Sequence, residues 1–198
     1  MNTTASREVV VFFCKRGHCY MIVIVLDYYR RILREETFIM REMRRQDRKV
    51  IDPQKIADVL NKAQIMHLGL VDAGRPYIVP LNYGWTEKDG HYSVYAHSAG
   101  EGRKIDLIAP GADVCFEMEC GIDYFDADTA CGWGNRFQSV IGEGRATLLK
   151  TAEEKREGLR AIMAHYSKRT DLVFEDAMVD LVQVIRIDVD ALSCKIHE

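Results

Sequence analysis

From residue 52 onward the chain switches between two hydrophobic periods. In "DPQKIADVLNK", Ile56, Val59 and Leu60 recur at the spacing of one helix face, behind a capping Asp52 and a Pro53 suited to the first turn. The period then falls to two. Residues 65–71 read as a strand, "DAGR" as a turn, and 76–85 as a second strand. That strand places Tyr77, Val79, Leu81, Tyr83 and Trp85 on one face and Ile78, Pro80 and Asn82 on the other. A proline within a strand belongs to an edge or a bulge, so the backbone near Pro80 is expected to lack a sheet partner on one side. After "EKDG", residues 91–97 alternate again, with Tyr92, Val94 and Ala96 opposite His91, Ser93, Tyr95 and His97.

The remainder follows the same logic. A short helix is expected over 103–109, ended by "PG", then a strand over 112–119 with Val114, Phe116 and Met118 on its apolar face. "CGIDYFDADTACGWGNR" reads as a loop and 137–149 as a long strand bent at Gly142 and Gly144. Thr151 with Glu154 forms a capping box for a helix running to about Ser167, and 181–189 is a last alternating strand. Six strands joined mostly by short turns favour antiparallel pairing. A strongly bent sheet of that kind closes on itself, so the expected fold is mainly β: a six-stranded antiparallel barrel with peripheral helices.

Residues 1–39 read differently. Two apolar runs flank Lys15, Arg16 and His18, and "MREMRRQDRKVIDPQ" then resembles a protein start. One reading makes 1–39 an N-terminal extension from an upstream start, with the domain at 40–198. The other is a β-hairpin turning at "KRGH" and followed by a helix. The runs are too short to span a bilayer and lack the cleavage pattern of a secretion signal.

Composition narrows the function only a little. The 198 residues carry a net charge of −3, which gives no global case for nucleic acid. The six cysteines form no CxxC pair and match no common zinc spacing, so no metal is expected. They are read as free thiols of a cytoplasmic protein.

The chemistry concentrates in "HSAGEGRKIDLI". Glycines precede a helix start, Ser98 offers a hydroxyl, Arg103 a planar fork and Lys104 a point charge, which suits a phosphate. The spacing is neither a Walker loop nor a GxGxxG turn. On these residues alone, a solvated helix start with two surface cations is the stronger reading. His97 faces the same place. His67, within "IMHLGLV", reads as a core or seam histidine, and His165 as structural, near a helix C-terminus that favours a cation. Trp133 reads either as a cover for a ligand or as a barrel plug.

Four segments occur in order: "MREMRRQDRKVID", "GRPYIVPLNYGW", "VYAHSAGEGRKIDLI" and "RFQSVIGEGRATLL". Together they resemble the pyridoxamine 5′-phosphate oxidase-like flavoproteins, and within them the 5-nitroimidazole resistance branch, over roughly 40–190. The resemblance implies an FMN-binding split barrel and a homodimer with FMN at its interface. Val79, Pro80, Leu81 and Asn82 would run beside the flavin ring, His97 and Ser98 would follow on the next strand, and Arg103 and Lys104 would hold the 5′-phosphate. Gln138 and Ser139 would reach the cofactor from the second subunit. Phe137 keeps the ring of the family's usual aromatic and loses its hydroxyl.

The implied reaction is reduction of a small electrophile such as a nitroaromatic, with a nicotinamide as a transient electron donor and His97 as the candidate catalytic residue. Oxidation of pyridoxamine 5′-phosphate itself is disfavoured, because the C-terminal "IRIDVDALSCKIHE" lacks the Arg-rich, Trp-bearing substrate segment. The alternative is a non-catalytic flavin- or haem-binding storage or sensor protein.

Overall fold

The computed structural model describes residues 8–15, 18–25, 42–167, 169 and 171–198. The chain divides into two compact units at Glu42/Met43. The first contains an antiparallel hairpin, β1 (Glu8–Lys15) and β2 (His18–Val25), closed with Lys15 opposite His18. The helix expected after it lies outside the described residues, as do the side chains of Cys14 and Cys19.

The second unit is a barrel. Its strands are β3 (Lys49–Val50), β4 (Met66–Asp72), β5 (Arg75–Leu81), β6 (Tyr83–Lys88), β7 (His91–Ala99), β8 (Ala112–Phe125), β9 (Gly134–Leu148) and β10 (Val182–His197). Four helices accompany them: α1 (Pro53–Lys62), α2 (Arg103–Ile108), α3 (Ala152–Tyr166) and α4 (Asp176–Leu181). The sheet order is β5-β4-β8-β9-β10-β7-β6, antiparallel throughout, with β3 paired to β10.

The mainly-β split barrel is as expected, but the strand count is eight rather than six. Residues 76–85 are not one strand. β5 pairs with β4 at one end of the sheet, β6 pairs with β7 at the other, and Asn82 alone joins them. Alternation could not reveal this, because both pieces keep the same faces inward. Tyr77, Val79 and Leu81 pack against the core and Tyr83 is fully buried. β3, two residues long, is below what a period can detect.

β8 and β9 also run further into the expected loop. A register shift between Cys120 and Asp123, with Gly121 at φ 64°, carries β8 past the glycine. Beyond it the two strands pair only with each other, and Ile122 and Tyr124 are exposed, so no inward period marks them. β10 extends to His197 through a second bulge at Val189/Ala191, opposite Gly144.

Local chemistry explains the rest. Asp52 Oδ1 accepts from the Gln54 amide at 2.9 Å and caps α1. Thr151 and Glu154 complete their capping box on α3. Ala73–Gly74 and Asp89–Gly90 have positive φ at both positions, which gives tight hairpin turns matching the strand twist. The core packs Leu60, Met66, Leu68, Phe116, Met118, Ile185 and Ile187 inside the barrel. A smaller cluster, Tyr95, Leu149, Ile162 and Val184, lies beneath α3. There the helix backbone comes so close to β6 that a Cβ on Gly84 would sit 2.2 Å from Ala161.

Candidate functional site at the seam of the barrel

β5 and β6 are the two ends of the sheet, and they are consecutive in the chain. Tyr83 stands opposite Ala96 on β7, so the register runs out at the level of Asn82 and His97. The seam therefore gathers Val79, Pro80, Leu81 and Asn82 with His97 and Ser98. Val79 and Leu81 are half-buried, Pro80 and Asn82 exposed. Among the described residues the outer edge of β5 has no strand beside it, in keeping with the proline. Its main-chain donors and acceptors on that side join no strand ladder among the described residues.

Alternation on β7 leaves His97 exposed and Ser98 buried at 8 %. The face that carries His97 is not a polar one, because Tyr95 on it is 4 % exposed and packed under α3. His97 is exposed one step beyond that covered stretch.

Arg103 reaches β5 from α2 at the Tyr77 end of the strand. Its Nε donates to Asp72 Oδ2 at 2.8 Å, and its guanidinium carbon lies 4.2 Å from the centroid of Tyr77 on β5. Among the described residues its two terminal nitrogens make no hydrogen bond, so a positioned fork is left for an anion. Lys104 beside it is half-buried. α2 has six residues, opened by Gly102 at φ 129° with no side-chain cap. In so short a helix the positive charge is mainly that of the two side chains. Asp72 and Tyr77, which orient Arg103, were not singled out in the sequence. The signal was available in part: Asp72 ends a strand at a tight turn, and Tyr77 is an inward-phase aromatic beside the proline.

Gln138 and Ser139 lie elsewhere in the same chain. β9 is three strands from β5 in the sheet, about 14 Å at the usual spacing. Alternation also puts the pair on opposite faces. Gln138 accepts from Cys120 Sγ at 3.7 Å, whereas Ser139 shares the phase of the exposed Ile141.

Three further readings are revised. His67 is half-buried rather than in the core, and its Nδ1 lies 3.3 Å from Glu117 Oε2. Burial raises the Glu117 carboxyl above its usual range, with His67 opposing. Trp133 is 60 % exposed with its Nε1 donating to Ala127 O at 3.0 Å, so it does not plug the barrel. His165 is structural, but not as a cation at a helix end. Its Nε2 lies 2.9 Å from Ala63 O at the end of α1, its Nδ1 is buried without a partner, and burial lowers its pKa. Next to it, Tyr166 OH donates to Gln64 O at 2.6 Å, tying α3 to α1.

Comparison with known proteins fits this geometry. Residues 52–196 match the pyridoxamine 5′-phosphate oxidase family. The chain belongs to that family. A solved structure from Bacteroides thetaiotaomicron, described provisionally as a 5-nitroimidazole antibiotic resistance protein, is 31 % identical. It aligns over 75 % of this chain and 86 % of its own, with a TM-score of 0.64. The flavocytochrome Anf3 of Azotobacter vinelandii (23 % identity, 79 % and 72 % coverage, TM-score 0.64) has a similar fold. So has a FAD- and haem-binding protein of Mycobacterium smegmatis (17 %, 76 % and 74 %, TM-score 0.66). A search of curated proteins finds no match. Among the described residues no helix is long and apolar enough to cross a membrane.

Proposed function

We propose that this member of the family is an FMN-binding flavoprotein that reduces a small electrophile of the nitroaromatic class. The observation that carries the reading is the seam. β5 links three features: an open strand edge, the exposed imidazole of His97 beyond its Asn82 end, and the pre-oriented Arg103 guanidinium at its Tyr77 end. The residues fit the cofactor by type. The free edge of β5 at Val79–Asn82 offers main-chain partners for the polar edge of a ring system. Arg103 and Lys104 suit the 5′-phosphate, with Asp72 and Tyr77 fixing the Arg103 fork.

The flavin supplies the electron-pair chemistry. The chain supplies binding and protons. The role we assign to the exposed His97 is to donate a proton to a reduced substrate or to orient it. With no dinucleotide-binding turn in the sequence, a nicotinamide donor would bind only transiently.

The assembly we propose is a homodimer with the cofactor at its interface. Two facts support it. Gln138 and Ser139 lie on β9, three strands from β5 in their own chain. In addition, the outer face of the sheet carries exposed apolar residues: Val71 and Ile78 are 65 % exposed and Ile141 42 %.

The test is the purified protein itself. Flavin absorption that bleaches with a nicotinamide and returns with a nitroimidazole supports the proposal. Bound flavin that no donor can reduce overturns the enzymatic part, and a haem spectrum overturns the cofactor. Light scattering should give twice the chain mass.

A further inference from the structure

A cleft of about 390 Å³ lies between the first turn of the barrel unit and the end of β10, lined by Arg45, Asp47, Arg48, Lys49, Val50, Lys55, Ile196, His197 and Glu198. Its charge balance differs from that of the whole chain, which is net −3. Arg45 and Asp47 satisfy each other through two hydrogen bonds of 2.8 and 2.6 Å. Among the described residues no carboxylate lies within ion-pair distance of Arg48, Lys49 or Lys55. That leaves three cations against the side-chain and main-chain carboxylates of Glu198.

Arg48 is held in place rather than free. Its Nη2 lies 2.8 Å from His197 Nε2, and His197 Nδ1 lies 2.6 Å from Asn135 O. The carbonyl can only accept, so Nδ1 carries the proton and Nε2 accepts from Arg48. The rings of Phe125 and Phe137 stand edge-on to the imidazole at 6.3 and 5.9 Å and wall it in. Among the described residues Arg48 Nε is buried with no partner. A guanidinium clamped at one nitrogen, with two lysines on the rim, is the donor set of an oxyanion site.

We propose that this cleft binds the phosphate of a small phosphomonoester. The size argues for an organic body on the phosphate. A water occupies about 30 Å³, so the space holds roughly a dozen waters, more than orthophosphate needs. Val50 and Ile196 are the two apolar side chains at its edge. The site is separate from the Arg103 fork of the same chain. α2 leads into the Ala112 end of β8, paired with Ala146, whereas His197 pairs with Phe137 nine residues away, about 30 Å along an extended strand.

The test is calorimetric titration of the full chain, as purified, with ribose 5-phosphate and with orthophosphate at constant ionic strength. One site per chain is expected for ribose 5-phosphate, at least tenfold tighter than for orthophosphate. Lys49→Gln with Lys55→Gln, on the exposed rim, should weaken it about tenfold or more. Arg48→Lys, which keeps the charge and loses the fork, should weaken it further. FMN affinity should not change in the rim variant. Equal binding of the two probes, or no effect of either variant, overturns the proposal. Loss of FMN from the rim variant would also overturn it, by making the cleft a flavin site.

Discussion

The guanidinium carbon of Arg103 lies over the ring of Tyr77, 4.2 Å from its centroid. One contact thus joins the first residue of α2 to the edge strand of the barrel. Tyr77 and Asp72 restrict a side chain that would otherwise sample many rotamers, and fewer rotamers are lost when an anion arrives.

Replacing Arg103 and Lys104 together by Ala should weaken FMN binding by several kcal/mol, at roughly 1.5–3 kcal/mol for each charge-assisted hydrogen bond. Tyr77→Leu keeps both charges and should cost about 0.5–1 kcal/mol. Fluorescence titration of the apoprotein with FMN measures both. An unchanged dissociation constant in the double variant refutes the phosphate assignment.

His97→Gln separates holding from chemistry. The exposed imidazole contributes little packing, so the flavin should remain bound. Turnover of a nitroaromatic substrate should fall about a hundredfold or more, the usual range for a lost proton donor. Steady-state rates read against flavin content decide it. Full activity in the variant would leave His97 outside the chemistry.

Acid should destabilise the fold through His165. Burial lowers the pKa of this residue below 6.5. The unfolded chain therefore takes up a proton first as pH falls, and stability rises with pH across that window. The contribution is complete above about 6.5 and is lost below it. Thermal melts from pH 8 to 5 should show a steeper decline for the parent chain than for His165→Gln. Parallel curves would show that the imidazole does not titrate on unfolding.

Gly84→Ala tests the contact between α3 and the sheet. The added methyl would meet the Ala161 backbone at 2.2 Å, and a helix backbone cannot yield as a side chain can. A loss of about 1–3 kcal/mol or more is expected in chemical denaturation.

Much of the barrel was legible because period two marks any strand with one wet face. It failed where both faces are alike. The outer arms of β8 and β9 expose both sides, and β10 continues through a bulge that breaks phase at Val189/Ala191. Asn82 was hidden for the opposite reason, since the phase is kept across the break. The seam residues were found by resemblance and by Pro80, a residue whose chemistry restricts its place. The partners of Arg103 come from a turn and a neighbouring strand, and only three-dimensional proximity makes them a unit. The same holds for the Arg48–His197 pair, 149 positions apart.

The passage of the chain from one sheet end to the other through Asn82 has a mechanical consequence. Elsewhere the barrel wall is held by ladders of hydrogen bonds, which must break for neighbouring strands to part. At the seam it is held by a covalent thread one residue wide. Opening the wall there breaks no strand ladder, only the core packing that Val79, Leu81 and Tyr83 share, and the candidate site lies along that line.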